Sequence, residues 1–360
     1  MQIIRKRAVP VGRLTPGIRR QKVLVSVLLF VLAFLAGAVV FAAPPKEVIE
    51  AANKEGELRI YWTSTGTDKW RQRFQDAFNE HFGTRVTIRD TRGNDWARDT
   101  TKVVAEALTG QKPAWDLMLI TESHHNDLFQ AGLLGRYDWV KLFDVPPQAL
   151  MFNGGAYAFA HQVALPAYNT ELVKGLDIPK KWEDILNPKF RERIGVTTAT
   201  HHLARLSQFW GDEKTTQFVK RLAGMNPRLG SPSDLNQRLQ LGEVYILATQ
   251  VDNLLKAARV RKAPVKFAED LDPVLLQSIT VGPIKGGSSP NAALLFAGFL
   301  ATKKGHDLWV EFQEQSSIFV KGSPYWKFVQ GKDVVLLKED FMAKELQPRT
   351  DRYGAMLGYR

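Results

Sequence analysis

The chain has 360 residues, 44% of them apolar and 10% aromatic, which marks a globular protein with a substantial core rather than a disordered tail. It contains no cysteine, which excludes a disulfide scaffold, thiolate zinc sites, a thiol nucleophile and a lipidated-cysteine anchor. Of its net charge of +12, seven cations and no acid fall in residues 1–42, leaving a dispersed +5 over 318 residues, which argues against a nucleic-acid partner.

The amino-terminal segment reads as an export signal. Arg5 to Lys22 is basic, Val23 to Phe41 is uncharged with a single hydroxyl at Ser26, and Val40-Phe41-Ala42 supplies small residues for a signal peptidase. Cleavage is expected after Ala42 or one residue later. The alternative is a retained anchor, since about 19 apolar residues can span a bilayer. Either way the protein is expected in the periplasm or on the outer face of the cytoplasmic membrane, with the cations holding the amino terminus inside. Arg19-Arg20 precedes Gln21-Lys22-Val23 and lacks the apolar residue that a twin-arginine signal places two positions on.

The 318 residues that follow suggest about two domains. A short helix with Val48, Ile49 and Ala52 inward stops at Gly56, and Leu58 to Trp62 reads as a strand. Ser64 to Asp68 is a turn with capping residues, followed by a helix with Trp70, Phe74 and Phe78 on one stripe. Arg85 to Ile88 is the second strand and Arg92 to Asp95 its turn into a helix ending at Gly110. Asp116 to Ile120 is a near-continuous apolar strand, as expected with both sheet faces covered. This β-α-β-α-β order is that of a parallel α/β sheet. Beyond Gly154-Gly155 the pattern restarts, with strands at Gln162 to Tyr168, Arg193 to Thr198 and Val244 to Ala248, and a helix opened by Pro290.

In open α/β sheets ligands bind beyond the carboxyl ends of the strands, where helix amino-termini offer unpaired N–H groups. Five segments fit that place: Ser64 to Thr67, Arg92 to Trp96, Thr121 to Ser123, Thr198 to His202 and Thr249 to Asn253. The cleft candidates within or beside them are Ser64, Thr65, Thr67, Arg92, Asn94, Trp96, Glu122, Thr200, His201, His202, Asp252 and Asn253. Of two histidine pairs, His201-His202 follows a predicted strand and is the functional candidate, whereas His124-His125 reads as a solvated loop. No Gly-x-Ser-x-Gly elbow, no phosphate loop and no His-Glu-x-x-His spacing occurs, so no catalytic constellation is legible.

Several segments carry a resemblance. Glu50 to Tyr61, Ala114-Trp115-Asp116-Leu117, Gln130 to Leu134, Tyr168-Asn169-Thr170, Pro179 to Phe190, Leu241-Gly242-Glu243, Ser289 to Ala293 and Lys304-Gly305-His306 follow one another in the order seen in ABC-importer solute-binding proteins of the ferric-iron, polyamine and thiamine type. The resemblance implies an α/β, two-lobed periplasmic-binding-protein fold of the type II, Venus flytrap kind, each lobe a mixed sheet flanked by helices. It implies a signal peptide over 1–42, a first lobe over 43–160 and 266–322, a second over 161–265, and C-terminal helices over 323–360 packing on the second. Crossings between lobes are expected near Ala156 to Pro166, Val265 to Asp272 and Ser323.

The resemblance also implies a monomer without a cofactor that captures a small-molecule solute and delivers it to an ABC permease and its ATPase. The ferric members hold iron with a tyrosine pair, but the corresponding stretch here, Gln250-Val251-Asp252-Asn253, has none. Bare ferric iron is therefore not expected, and the hydroxyls, helix ends, Arg92 and imidazoles of the candidate turns lead us to expect an anionic or chelated solute. A cationic solute such as a polyamine or a thiamine-like molecule, and a membrane-tethered enzyme or receptor domain reusing the fold, remain the alternatives.

Overall fold

The computed structural model describes residues 44–359 except Ser64 and Asn94. The signal expected over residues 1–42 lies outside the described residues. The principal strands are β1 (Glu57–Thr63), β2 (Thr87–Gly93), β3 (Leu117–Thr121), β4 (Ala156–Asn169), β5 (Ile194–Thr197), β6 (Arg228–Gly230), β7 (Ile246–Val251) and β8 (Val274–Pro283). The principal helices are α1 (Lys46–Glu55), α2 (Asp68–Phe82), α3 (Trp96–Leu108), α4 (Glu122–Gln130), α5 (His201–Trp210), α6 (Asp212–Gly224), α7 (Pro232–Gln240), α8 (Asp252–Val260), α9 (Pro290–Ala301), α10 (Lys303–Gln313) and α11 (Gln347–Leu357).

The strands join in the order β2-β1-β3-β8-β4-β7-β5-β6, and the order repeats itself about its middle. On one side β1, β2 and β3 are parallel and β3 meets β8 antiparallel. On the other β5, β6 and β7 are parallel and β7 meets β4 antiparallel. The long strands β4 and β8 pair with each other along the middle and carry the chain between the halves. Each half is thus a mixed sheet flanked by helices, the two-lobed α/β architecture expected.

Each half has its own core. Leu58, Ile60, Trp62, Phe74, Phe78 and Phe296 belong to the first; Trp182, Ile194, Leu206, Phe218, Leu247 and Tyr353 to the second. A fully buried side chain of this size contributes about 1.5–3 kcal/mol, so the apolar stripe of α2 fixes that helix on β1. Val335, Leu337 and Leu357 place the C-terminal segment on the second core. No helix among the described residues is long and apolar enough to cross a membrane.

Three local expectations are corrected. The second strand is Thr87–Gly93, not Arg85 to Ile88, because Thr87 pairs with Glu57 and the register runs on to Gly93. It is an edge strand, so its polar residues need no buried partners and it lacks an apolar signature. The return crossing is β8 rather than Val265 to Asp272, since Val265–Phe267 is a short strand paired with Ala167–Asn169 at the far end of β4. The turn read at Thr249 to Asn253 is absent: β7 runs straight to Val251, and α8 begins at Asp252.

Candidate functional site

The parallel strands of both halves end at a shared cavity of about 660 Å³. From the first half it receives Thr63 at the end of β1, Trp96 at the start of α3, and Ser123, His124, Asn126 and Asp127 on the first turns of α4. Facing these are Thr197, His201, His202, Thr249, Gln250 and Asn253, from the junctions that open α5 and α8. Gln162 and Gln277 also line the cavity. They sit directly opposite each other in the β4–β8 register and are almost fully buried.

Gly93 at the end of β2 belongs to the same wall. A Cβ there would stand 1.8 Å from the Tyr61 hydroxyl, so only glycine fits. That hydroxyl donates to Asp99 at 2.8 Å, which anchors α3 against β1 and holds Trp96 at the cavity.

The lining is almost uncharged: amides, hydroxyls, imidazoles and one ionisable carboxyl, Asp127, whose pKa is pushed up by burial, interleaved with apolar side chains such as Trp96, Val251, Leu254, Met342 and Leu346. The imidazoles are held neutral. Burial lowers His124 to about 4 and His201 to about 3, where Arg205 and His124 add to the effect. His202 is lowered further by burial, with His201 and Arg205 adding to it. His124 Nδ1 lies 2.6 Å from the Thr121 hydroxyl, which fixes the ring, and its centroid is 5.9 Å from that of Trp96 in an edge-on arrangement.

Helix amino-termini from both halves converge here. The N-cap residues Thr121, Thr200 and Val251 make no side-chain cap at the starts of α4, α5 and α8, although the Asp252 carboxyl accepts from the Asn253 N–H and the Ala199 and Thr200 carbonyls accept from the His202 and Leu203 N–H groups. The positive ends of three helix dipoles thus meet at the cavity, an arrangement that suits an oxygen-rich ligand.

Of the candidates read from sequence, Trp96, His201, His202 and Asn253 line the cavity. Glu122, Thr200 and Asp252 stand just behind it, buried and engaged with protein. Glu122 accepts from Arg205 Nη1 at 2.6 Å, Thr200 donates to the Thr350 carbonyl at 3.1 Å, and Asp252 accepts from the Val163 N–H at 2.8 Å. Ser64 and Asn94 lie outside the described residues.

Arg92, Thr65 and Thr67 are not brought to the cavity. Arg92 and Gly93 point to opposite faces of β2, and Arg92 pairs instead with Asp90 at 2.7 Å and Asp68 at 2.5 Å. Thr67 caps α2 by accepting from the Trp70 N–H, and Thr65 accepts from Gln313 at 2.8 Å.

The His124-His125 pair is not a solvated loop but the first turn of α4. His124 faces the cavity, and His125 is fully buried with Nδ1 2.7 Å from the Thr280 hydroxyl. Strand-end position could have found Ser123, Thr249 and Gln250, which lie in the segments singled out above. Nothing local in the sequence marks Gln162 or Gln277, or the contribution of Met342, Leu346, Gln347 and Thr350 from the C-terminal segment. Among the described residues no group of three or more histidines and carboxylates is placed to hold a metal ion.

Comparison with known proteins agrees with this architecture. A profile of the family described as bacterial extracellular solute-binding protein matches residues 113–322. No curated protein matches the chain. Among solved structures, iron-bound HitA from Pseudomonas aeruginosa superposes with a TM-score of 0.63 at 17% identity, covering 83% of this chain and 99% of that one. IdiA (FutA) from Trichodesmium, in complex with iron and citrate, gives 0.66 at 14% identity, with 85% and 100% covered. The periplasmic binding protein AfuA from Actinobacillus pleuropneumoniae, with fructose-6-phosphate bound, gives 0.63 at 19%, with 84% and 98% covered. At these identities the likeness establishes the two-lobed fold.

Proposed function

The chain belongs to the bacterial extracellular solute-binding protein family, and from that premise we propose that it is an exported protein that captures a small anionic or chelated solute in the cleft between its halves. It then delivers that solute to an ABC permease with its ATPase. The observation that carries the reading is the cleft itself. Helix starts from both halves meet around amides, hydroxyls and neutral imidazoles, and among the described residues no lysine or arginine lines the cavity. Such a lining supplies donors to an oxyanion without committing to a bare metal ion. Two neighbours in fold are described with a ligand of this kind, citrate together with iron in one and a sugar phosphate in the other.

A cationic solute is the second reading, favoured by one feature: Asp127 is the only ionisable carboxyl among the described residues of the lining, and Trp96 offers an aromatic face to the same cavity. Calorimetric titration of the wild type and of Asp127→Asn with citrate, fructose 6-phosphate and spermidine separates the two. The anionic reading expects one of the two anions to bind, and to bind Asp127→Asn at least as tightly. Spermidine binding that falls about tenfold or more in that variant, about 1.4 kcal/mol, with no response to either anion, would reverse the assignment.

A further inference from the structure

The C-terminal segment reaches the cleft in an unusual way. Residues 339–357 form one helical run interrupted by a π turn over Met342–Leu346. Pro348 gives the reason. It has no N–H to offer the Lys344 carbonyl, and its ring crowds that carbonyl, so a regular turn cannot close. In a regular helix Gln347 would lie about 140° around the axis from Met342. The wider i→i+5 turn instead brings residues five apart toward the same face, and Met342, Leu346 and Gln347 all face the cavity, with Thr350 one turn on.

This wall is held firmly. The segment packs against both α4 and α5, one from each half. Thr350 donates to the Leu346 carbonyl at 2.7 Å and its own carbonyl accepts from Thr200. Arg349 donates to the Ser207 hydroxyl at 2.9 Å, and Tyr353 donates to Asp212 at 2.7 Å. Met342 and Leu346 are buried, so this wall sets a thioether and an isobutyl group beside Gln347 and Thr350, and Val251 and Leu254 add apolar surface at the start of α8.

We propose that the π turn is the specificity wall of the cleft, and that Met342, Leu346 and Gln347 select an organic oxyanion with a carbon body over a bare inorganic one. This rests on the anionic reading above and adds the size and character of the solute. A cavity of about 660 Å³ is in the range that encloses whole organic ligands, whereas a liquid water takes up about 30 Å³ and an inorganic oxyanion only a few times that. The apolar edge would lie against the solute's carbon skeleton while the helix starts opposite hold its charged end.

The test fills the wall. Gln347→Trp, at an exposed rim position, and Leu346→Trp are compared with Lys344→Trp, whose side chain points away from the cavity. Inorganic phosphate, citrate and fructose 6-phosphate are titrated into each protein by calorimetry. The wall should reduce binding of the organic anion by about tenfold or more in Gln347→Trp. Inorganic phosphate should change by less than about threefold, and Lys344→Trp should match wild type. Organic-anion binding that is unchanged in both wall variants, or equal losses for organic and inorganic anions, overturns the specificity wall and leaves the anionic reading standing. If the wild type binds none of the three, the anionic reading fails and takes the wall with it.

Discussion

Glu122 and Asp252 occupy the same place in the two halves of the molecule. Each is the first residue of a nine-residue helix that leaves directly from a strand flanking the crossing pair, β3 in one half and β7 in the other. Both carboxyls are buried, and burial pushes both pKa values up. They are satisfied by different means. Asp252 accepts from neutral donors on three separate segments: the Val163 N–H of β4 at 2.8 Å, Gln315 at 3.3 Å and the Tyr325 hydroxyl. Glu122 instead meets a charge from the other half, Arg205, which also donates to the Leu276 carbonyl of β8 at 2.8 Å.

The difference lies in what is left over. Glu122 Oε2 and Arg205 Nε and Nη2 are buried and make no hydrogen bond to another described residue, whereas both oxygens of Asp252 are engaged. A buried polar atom without a partner costs about 1–3 kcal/mol. The Asp252 network therefore behaves as a fixed rivet beside the crossing strands. The Glu122–Arg205 pair concentrates unmet polar demand at the seam between the halves.

The largest expected effect comes from acid, because three neutral histidines surround the Glu122 side. His124 is lowered to about 4, and His125 and His201 to about 3, in each case chiefly by burial. A histidine whose folded pKa is depressed contributes stability that is present above its unfolded value near 6.5 and is lost as pH falls toward the folded value. Each group can withdraw up to about 1.4 kcal/mol per pH unit in that window. Melting temperature should therefore drop steeply between about pH 6.5 and pH 4, and amide exchange should accelerate first in α4 and the start of α5. Protection lost first around Asp252 would invert the comparison.

Next in size is Arg205→Met. It leaves the Glu122 carboxylate buried without its partner, a change that costs about 3–5 kcal/mol in other proteins. Removing the charge as well, in Glu122→Gln with Arg205→Met, should recover a large part of that loss in urea denaturation. A double variant as unstable as Arg205→Met alone would mean that Arg205 acts through packing and not through its charge.

The sequence carried some of this and not the rest, for identifiable reasons. Apolar runs such as Leu117 to Ile120 and the stripe Phe74, Phe78 declare a parallel α/β half because burial on both sheet faces leaves a continuous signal. Strand-end logic found His201, His202, Trp96 and Asn253 because that edge of the sheet is where ligands sit whatever the side chains. It misplaced Arg92, since the alternation that turns Gly93 to the cleft turns its neighbour away, and an edge strand of polar residues was read as a turn. Gln162 and Gln277 are 115 residues apart and become partners only through strand register. Arg205 lies mid-helix, with its carboxylate partner 83 residues earlier, and the π turn depends on Pro348 within a helical run that local pattern does not mark.

The smallest of these effects should come from the neutral network. Tyr325→Phe removes one donor from Asp252 and leaves the Val163 and Gln315 bonds in place. A hydrogen bond to an ionised group contributes about 1.5–3 kcal/mol, so the loss should sit at the low end of that range and below that of Arg205→Met. Its pH dependence has a definite sign. Burial raises the Asp252 pKa and the tyrosine hydrogen bond lowers it, so losing the hydroxyl raises it further. A carboxyl whose folded pKa is raised contributes stability that is present below its unfolded value and is lost as pH rises through the folded value. The cost of Tyr325→Phe relative to wild type should therefore be greater at pH 8 than at pH 5, as read from paired urea curves. Equal costs at the two pH values would mean that Tyr325 acts beside the crossing strands by packing alone, and that the two buried carboxyls differ less than their partners imply.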